Sequence, residues 1–234
     1  MDGFIDIYCE RTAAGFWNEP INALTNLAFI FAAMVAWRLA WQRARKSPLE
    51  LTVIALVAII GVGSFLFHTL ATPLSAAFDV VPIWLFFFAY LLLVFTRISG
   101  GRAFDVIGYM VATLLGFVAI VFVVGQLGAG GTLNGSLQYA PALLAMAVAT
   151  AIALWRHHPV WRYFASATAI FIMSLTFRSL DQAACVATAG IGTHFLWHML
   201  NATVLGILLV GAVRELPPAE AGSELEPGRD RNVI

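Results

Sequence analysis

The sequence predicts an all-α membrane protein, a seven-transmembrane-helix bundle with its N-terminus extracytoplasmic and its C-terminus cytoplasmic. Three observations carry this. The 234 residues are 61% hydrophobic and 11% charged, with a mean hydropathy of +0.86, whereas a soluble domain carries about 25% charge. Seven nearly uncharged runs each approach the roughly 20 residues that a helix needs to cross the hydrocarbon layer. Lys and Arg also alternate between one set of connections and the other. The 13 basic side chains are balanced by 13 acidic ones with no basic block. That removes the electrostatic footprint of nucleic-acid binding, and the apolar content excludes disorder over most of the chain.

The first span runs from Pro20 to Trp41, opened by Asn18, Glu19 and a proline whose missing N–H costs nothing at an early helical position. Arg38 lies near its end, where a long side chain reaches the boundary. The second runs from Leu51 to Thr72 and the third from Asp79 to Phe95. The uncharged stretch from Val106 to Trp155 is too long for one crossing. Gly125, Gly128, Gly130, Gly131, Asn134 and Gly135 divide it into Val106 to Val124 and Leu137 to Trp155, because these residues favour turns and weaken helix interiors. Tyr163 to Phe177 and Thr193 to Val213 complete the set. Tryptophans near span ends suit the interface, and Gly108, Gly116 and Gly206 are expected to allow close helix approach.

Three regions follow: an extracytoplasmic segment 1–19, a membrane domain 20–215 and a disordered cytoplasmic tail 216–234, rich in Pro, Gly and Glu. The opening MDGFIDIYCER lacks the basic n-region and apolar core of a cleavable signal, so the N-terminus is expected to stay. No internal repeat is evident. Arg43, Arg45 and Lys46 occupy the first connection, Arg97 and Arg102 the third, Arg156 and Arg162 the fifth, and Arg214 begins the tail. Only Arg11 and Arg178 fall on the opposite side, which sets the orientation.

Ionisable groups inside spans are costly and mark function by default. They are His68, Asp79, His194 and His198, and topology places all four at one depth on the extracytoplasmic side. His194-Phe-Leu-Trp-His198 sets two imidazoles at i and i+4 on one helix face, the way a helix offers two ligands to one metal. His68 can supply the third, and three protein ligands plus water is the layout of a catalytic zinc site. Asp79 is the carboxylate to take a proton from that water. Ser64, one turn before His68, faces the same way and can donate to a developing oxyanion. Against this, a lone His-x-x-x-His is weak evidence, and interfacial histidines bonded to carbonyls would also explain it. His157 and His158 read as solvated loop residues.

Ser64-x-x-x-His68, an Asp eleven residues later at Asp79, and His194-x-x-x-His198 together resemble the alkaline ceramidases and their bacterial relatives. These are seven-helix membrane hydrolases in a wider group that includes the adiponectin receptors. The resemblance extends to Asp79-Val-Val-Pro82, to Asp181-Gln-Ala-Ala-Cys185 and to Glu19-x-x-Asn22-x-x-Thr25-Asn26. It implies a zinc-dependent amidase that cleaves the N-acyl bond of ceramide to a sphingoid base and a fatty acid. His68, His194 and His198 would bind zinc, Asp79 would act as general base and Ser64 would polarise the site. A zinc just inside the interface would meet the scissile amide at the headgroup boundary, reached through a side opening between helices.

The resemblance also implies a Cys9–Cys185 disulfide, and both cysteines fall on the side where disulfides persist; two buried free thiols are the plain alternative. Some alkaline ceramidases are thought to hold calcium near the first cysteine. Here Glu10 and Glu19 match two such positions, Asp6 is offset by one residue from a third, and Arg11 or Thr12 stands where an Asn is expected. Read from the residues alone, these acids are solvated outside the membrane. Trp197 can wall the pocket or simply pack. The expected partners are a ceramide-like lipid substrate and membrane lipids, with no nucleic acid; protein partners are not readable. The expected location is an integral multi-pass protein of the inner membrane in a bacterium or of an endomembrane in a eukaryote. Alternatives are a hydrolase of another lipid amide or ester on the same scaffold and a lipid-sensing receptor without turnover. A transporter ranks last, because helices four and five carry no charge.

Overall fold

A computed structural model describes residues 4–128, 132–216 and 218. Its helices are α1 (Pro20–Thr25), α2 (Leu27–Trp41), α3 (Pro48–Leu70), α4 (Pro73–Ile98), α5 (Ala103–Gln126), α6 (Ala140–Trp155), α7 (Trp161–Leu180) and α8 (His194–Glu215). With α1 and α2 joined through the helical Asn26, seven helices are long and apolar enough to cross a membrane, so the chain is an integral multi-pass membrane protein. There is no strand among the described residues. The glycine-rich break falls between α5 and α6, where Leu133, Asn134 and Gly135 all hold positive φ; Gly130 and Gly131 lie outside the described residues, as does the expected tail from residue 217 on, Pro218 excepted.

Two helix starts lie further upstream than expected, for a local reason. Ser47 accepts the Glu50 N–H ahead of Pro48, and Thr72 and Ser75 cap each other reciprocally around Pro73. A polar cap followed by proline is a strong initiation signal. Asp79 therefore does not open its helix: it lies in the second turn of α4.

The helices α2, α3, α4, α7 and α8 share the core, through Ala33, Val57, Leu93, Phe171 and Leu209 among others. In contrast, α5 is almost wholly exposed, with Phe104, Leu115 and Phe122 turned outward as a lipid-facing helix. Gly206 allows close approach as expected, since a Cβ there would sit 3.3 Å from the Ala32 Cβ. Gly108 and Gly116 do not, because nothing lies within 4 Å of theirs. The decisive glycine is Gly63, where a Cβ would collide with the Phe78 carbonyl. Its bare Cα brings α3 against α4 at the residues next to Ser64 and Asp79.

At the far end, buried Glu50 pairs with Arg43 at 3.0 Å and Arg97 at 2.5 Å, while Arg97 also donates to the Ala212 and Leu216 carbonyls. At the near end, Cys9 and Cys185 form the expected disulfide, with Cα atoms 5.5 Å apart. It ties the N-terminal segment to the connection before α8. A bridge closing so long a loop typically stabilises by about 2–4 kcal/mol. Thermal unfolding of the purified protein is expected to shift down by several degrees after reduction; an unchanged transition would show that the bridge does not hold this end together.

Candidate metal centre

His68 is in the last turn of α3, and His194 and His198 occupy the first turns of α8, so three imidazoles from two distant stretches meet at one end of the bundle. All three are buried, and their ligand atoms lie within 4.8 Å of one another. His68 Nε2, His198 Nε2 and His194 Nδ1 are each buried without a hydrogen-bond partner. Buried polar atoms normally find partners. Three orphaned ring nitrogens converging on one point are what a divalent cation requires, and nitrogen-rich ligand sets of this kind suit zinc among other metals.

The opposite nitrogens are held. Glu19 Oε2 lies 2.5 Å from His68 Nδ1, and Thr25 Oγ1 lies 3.0 Å from His198 Nδ1. A proton on each Nδ1 leaves each Nε2 as the free lone pair, the tautomer a metal ligand needs. The polar face Glu19-x-x-Asn22-x-x-Thr25 thus lies behind His68 and His198: Asn22 Nδ2 donates to Glu19 Oε2 at 3.1 Å. Supporting carboxylates of this kind contribute about 10–100-fold in metal affinity. Glu19→Gln is expected to weaken metal binding within that range, read by competition with a chromogenic chelator; unaltered affinity would remove Glu19 from the centre.

His194 is positioned differently. The Asp181 carboxylate accepts the Thr193 N–H at 2.7 Å, the His194 N–H at 2.9 Å and the Cys9 N–H at 2.9 Å. An acid placed at a helix N-terminus satisfies free N–H groups and favours the helix dipole. Gly192, at φ +74°, is where the chain turns past this carboxylate, and a Cβ there would strike it. The His194 ring stacks on Tyr8, centroids 3.6 Å apart. Burial pushes the Tyr8 phenol far above its ordinary range, so it stays protonated.

Asp79 lines a chamber of about 140 Å³ together with Tyr8, Gln138, Tyr139, Arg178 and Trp197. Ser64, buried one turn from His68, lies beside the Asp79 carboxylate. A second, apolar cavity of about 400 Å³ runs between α4, α5, α6, α7 and α8 and shares Ile83, Tyr139 and Trp197 with the chamber. Trp197 therefore does wall the site. Two adjoining cavities, one lined by Asp79, Arg178 and the Tyr8 ring that stacks on His194 and the other apolar, can seat a lipid with its polar linkage toward Asp79.

The acids near the N-terminus correct the expectation of solvated groups. Glu19 is 2% exposed and its Oε1 accepts from Arg11 Nε at 2.5 Å. Both Glu10 oxygens accept backbone N–H groups, from Ile21 and Asn22, at 2.8 Å, and its partial burial raises its pKa. Only Asp6 is exposed. These oxygens are occupied by donors, and a guanidinium lies among them, so the residues present do not fit a calcium ion, which needs several free oxygens. Arg11 and Arg178, read from sequence as residues outside the membrane, are buried at 3% and 6% exposure. Arg11 also donates to the His68 carbonyl at 2.8 Å.

A family model described as Ceramidase matches residues 7–216, most of the chain. No curated protein matches it.

Proposed function

The chain belongs to the ceramidase family, and on that premise we propose that it is a zinc-dependent intramembrane amidase that hydrolyses the N-acyl bond of ceramide to a sphingoid base and a fatty acid. Membership itself implies a hydrolase with a ceramide-like lipid substrate. The observation that carries the finer reading is the set of three orphaned imidazole nitrogens, His68 Nε2, His194 Nδ1 and His198 Nε2. Zinc held there would supply a Lewis acid that acidifies water and polarises the amide carbonyl.

The chain's own residues supply the rest. Asp79 is the general base, taking the proton of the attacking water at its carboxylate and returning it to the leaving amine. Ser64 donates its one hydroxyl proton to that carboxylate, and once Asp79 has taken the water's proton the Ser64 O–H is free to turn toward the carbonyl oxygen as it gains charge. Glu19 and Thr25 fix the ring orientations of His68 and His198, so the ligand set needs little rearrangement. The apolar cavity takes a hydrocarbon chain, which leaves the amide at the polar chamber. The Lys and Arg distribution supports placing this end of the bundle, with residues 1–19, on the extracytoplasmic side and the C-terminal tail in the cytoplasm.

The test is a lipid panel with metal analysis. Purified protein is offered ceramide, a matched ester and a phospholipid, and the sphingoid base and fatty acid are both quantified. Equimolar release of the two from ceramide, abolished by chelation and restored by zinc, is the expected result. Cleavage of the ester alone would reassign the substrate, and metal binding without turnover would make the protein a receptor.

A further inference from the structure

Arg178 is a buried cation with no carboxylate among the described residues in direct contact. It sits in the last turn of α7, 94% buried, and its Nε has no hydrogen-bond partner. Its Nη1 donates to the Tyr8 hydroxyl oxygen at 2.7 Å, and its Cζ lies 5.6 Å from the Tyr8 ring centroid, 5.5 Å from Tyr139 and 5.4 Å from Trp197. Aromatic faces attract a guanidinium but carry no net charge. Among the described residues no carboxylate forms an ion pair with it; Asp79, on the same chamber wall, is near enough to act on it through space but leaves the guanidinium fork open. A desolvated charge is normally paired. Its position, on the chamber wall next to the Tyr8 ring that stacks on His194, and its unpartnered Nε leave the fork free to take an arriving anion directly.

The surroundings define that anion. The Tyr8 oxygen accepts from Arg178, so its own proton is left to donate. A guanidinium fork and a hydroxyl suit the two oxygens of a carboxylate. The chamber shares Ile83, Tyr139 and Trp197 with the apolar cavity, so a polar head in the first has room for an alkyl chain in the second. We infer that Arg178 and Tyr8 form a subsite for the carboxylate of a long-chain fatty acid, which holds the acid product beside the metal centre and excludes the cationic sphingoid base. The source of that acid rests on the amidase reading, but the subsite itself does not require turnover.

Binding of a fluorescent polyene fatty acid to the purified protein tests this directly, with oleate, oleyl alcohol and sphingosine as competitors. Oleate is expected to displace the probe at least tenfold more effectively than the alcohol or the amine. Arg178→Gln is expected to weaken the probe and oleate by tenfold or more with metal content retained, and Arg178→Lys, which keeps the charge but loses the fork, by less. Equal competition by oleate and oleyl alcohol would overturn the subsite. So would unchanged oleate binding in Arg178→Gln, because a carboxylate held by the metal alone gives that result. Should Arg178→Gln fail to fold, Tyr8→Phe keeps the stacked ring and decides: a several-fold loss confined to oleate supports the subsite, and no loss contradicts it. Absence of ceramide cleavage with headgroup discrimination intact would count against the amidase alone.

Discussion

Replacing His198 with alanine is expected to remove the bound metal and lipid hydrolysis together. The ring supplies one of the three orphaned imidazole nitrogens found among the described residues, and its Nδ1 side is already engaged by Thr25. Among the described residues no other group of His, Cys, Asp or Glu side chains could take over, since these three form the one such cluster there. A two-imidazole remnant binds a divalent ion far more weakly, so stoichiometric metal should fall toward zero after dialysis and hydrolysis should fall to background. The helix itself should survive, because its start is held by Asp181 rather than by His198. Metal analysis beside a thermal melt separates loss of the site from loss of the fold. A His198→Ala protein that keeps both metal and turnover would reject the proposed ligand set.

The second large effect is expected at Asp79, with the opposite signature. Its carboxylate is on the chamber wall and is not one of the three clustered ligands. Removing a general base costs about 10²–10⁴ in rate, or roughly 3–5 kcal/mol of transition-state stabilisation. Asp79→Ala should therefore lose kcat by that factor and retain most of its metal. Parallel loss of metal in Asp79→Ala would convert it from base to ligand; full turnover would remove it from the chemistry.

The fold was legible because a membrane leaves little choice. Backbone groups in hydrocarbon must be satisfied within a helix, so nearly uncharged runs of the right length read as spans, and among the described residues seven helices are long and apolar enough to cross. The three imidazoles were legible for the same reason, since charge and metal-binding side chains are rare at that depth. What the sequence concealed lies in residues whose side chains act across long separations. Glu19 read as a solvated acid because it precedes the first span, yet it reaches back to His68, 49 positions away. Arg178 and Arg11 read as loop charges because a span boundary drawn from hydropathy stops at the first guanidinium. Both are in fact folded inward, their cost lowered by aromatic rings in one case and by Glu19 in the other. The motif Glu19-x-x-Asn22-x-x-Thr25 was the one signal available, because polar residues three apart share a helix face, but no spacing rule says which partner they meet. Asp181 was visible as part of a resemblance; that it collects two N–H groups at the start of α8 and a third from Cys9 follows only from the tertiary fold.

X-ray absorption at the zinc edge of the purified, zinc-loaded protein tests the central claim most directly. Three histidine nitrogens and a light oxygen scatterer, with Zn–N distances of about 2.0–2.1 Å, are expected, with the imidazole signal diminished in His198→Ala. A spectrum dominated by oxygen or sulfur scatterers, or one identical in wild type and His198→Ala, would contradict it.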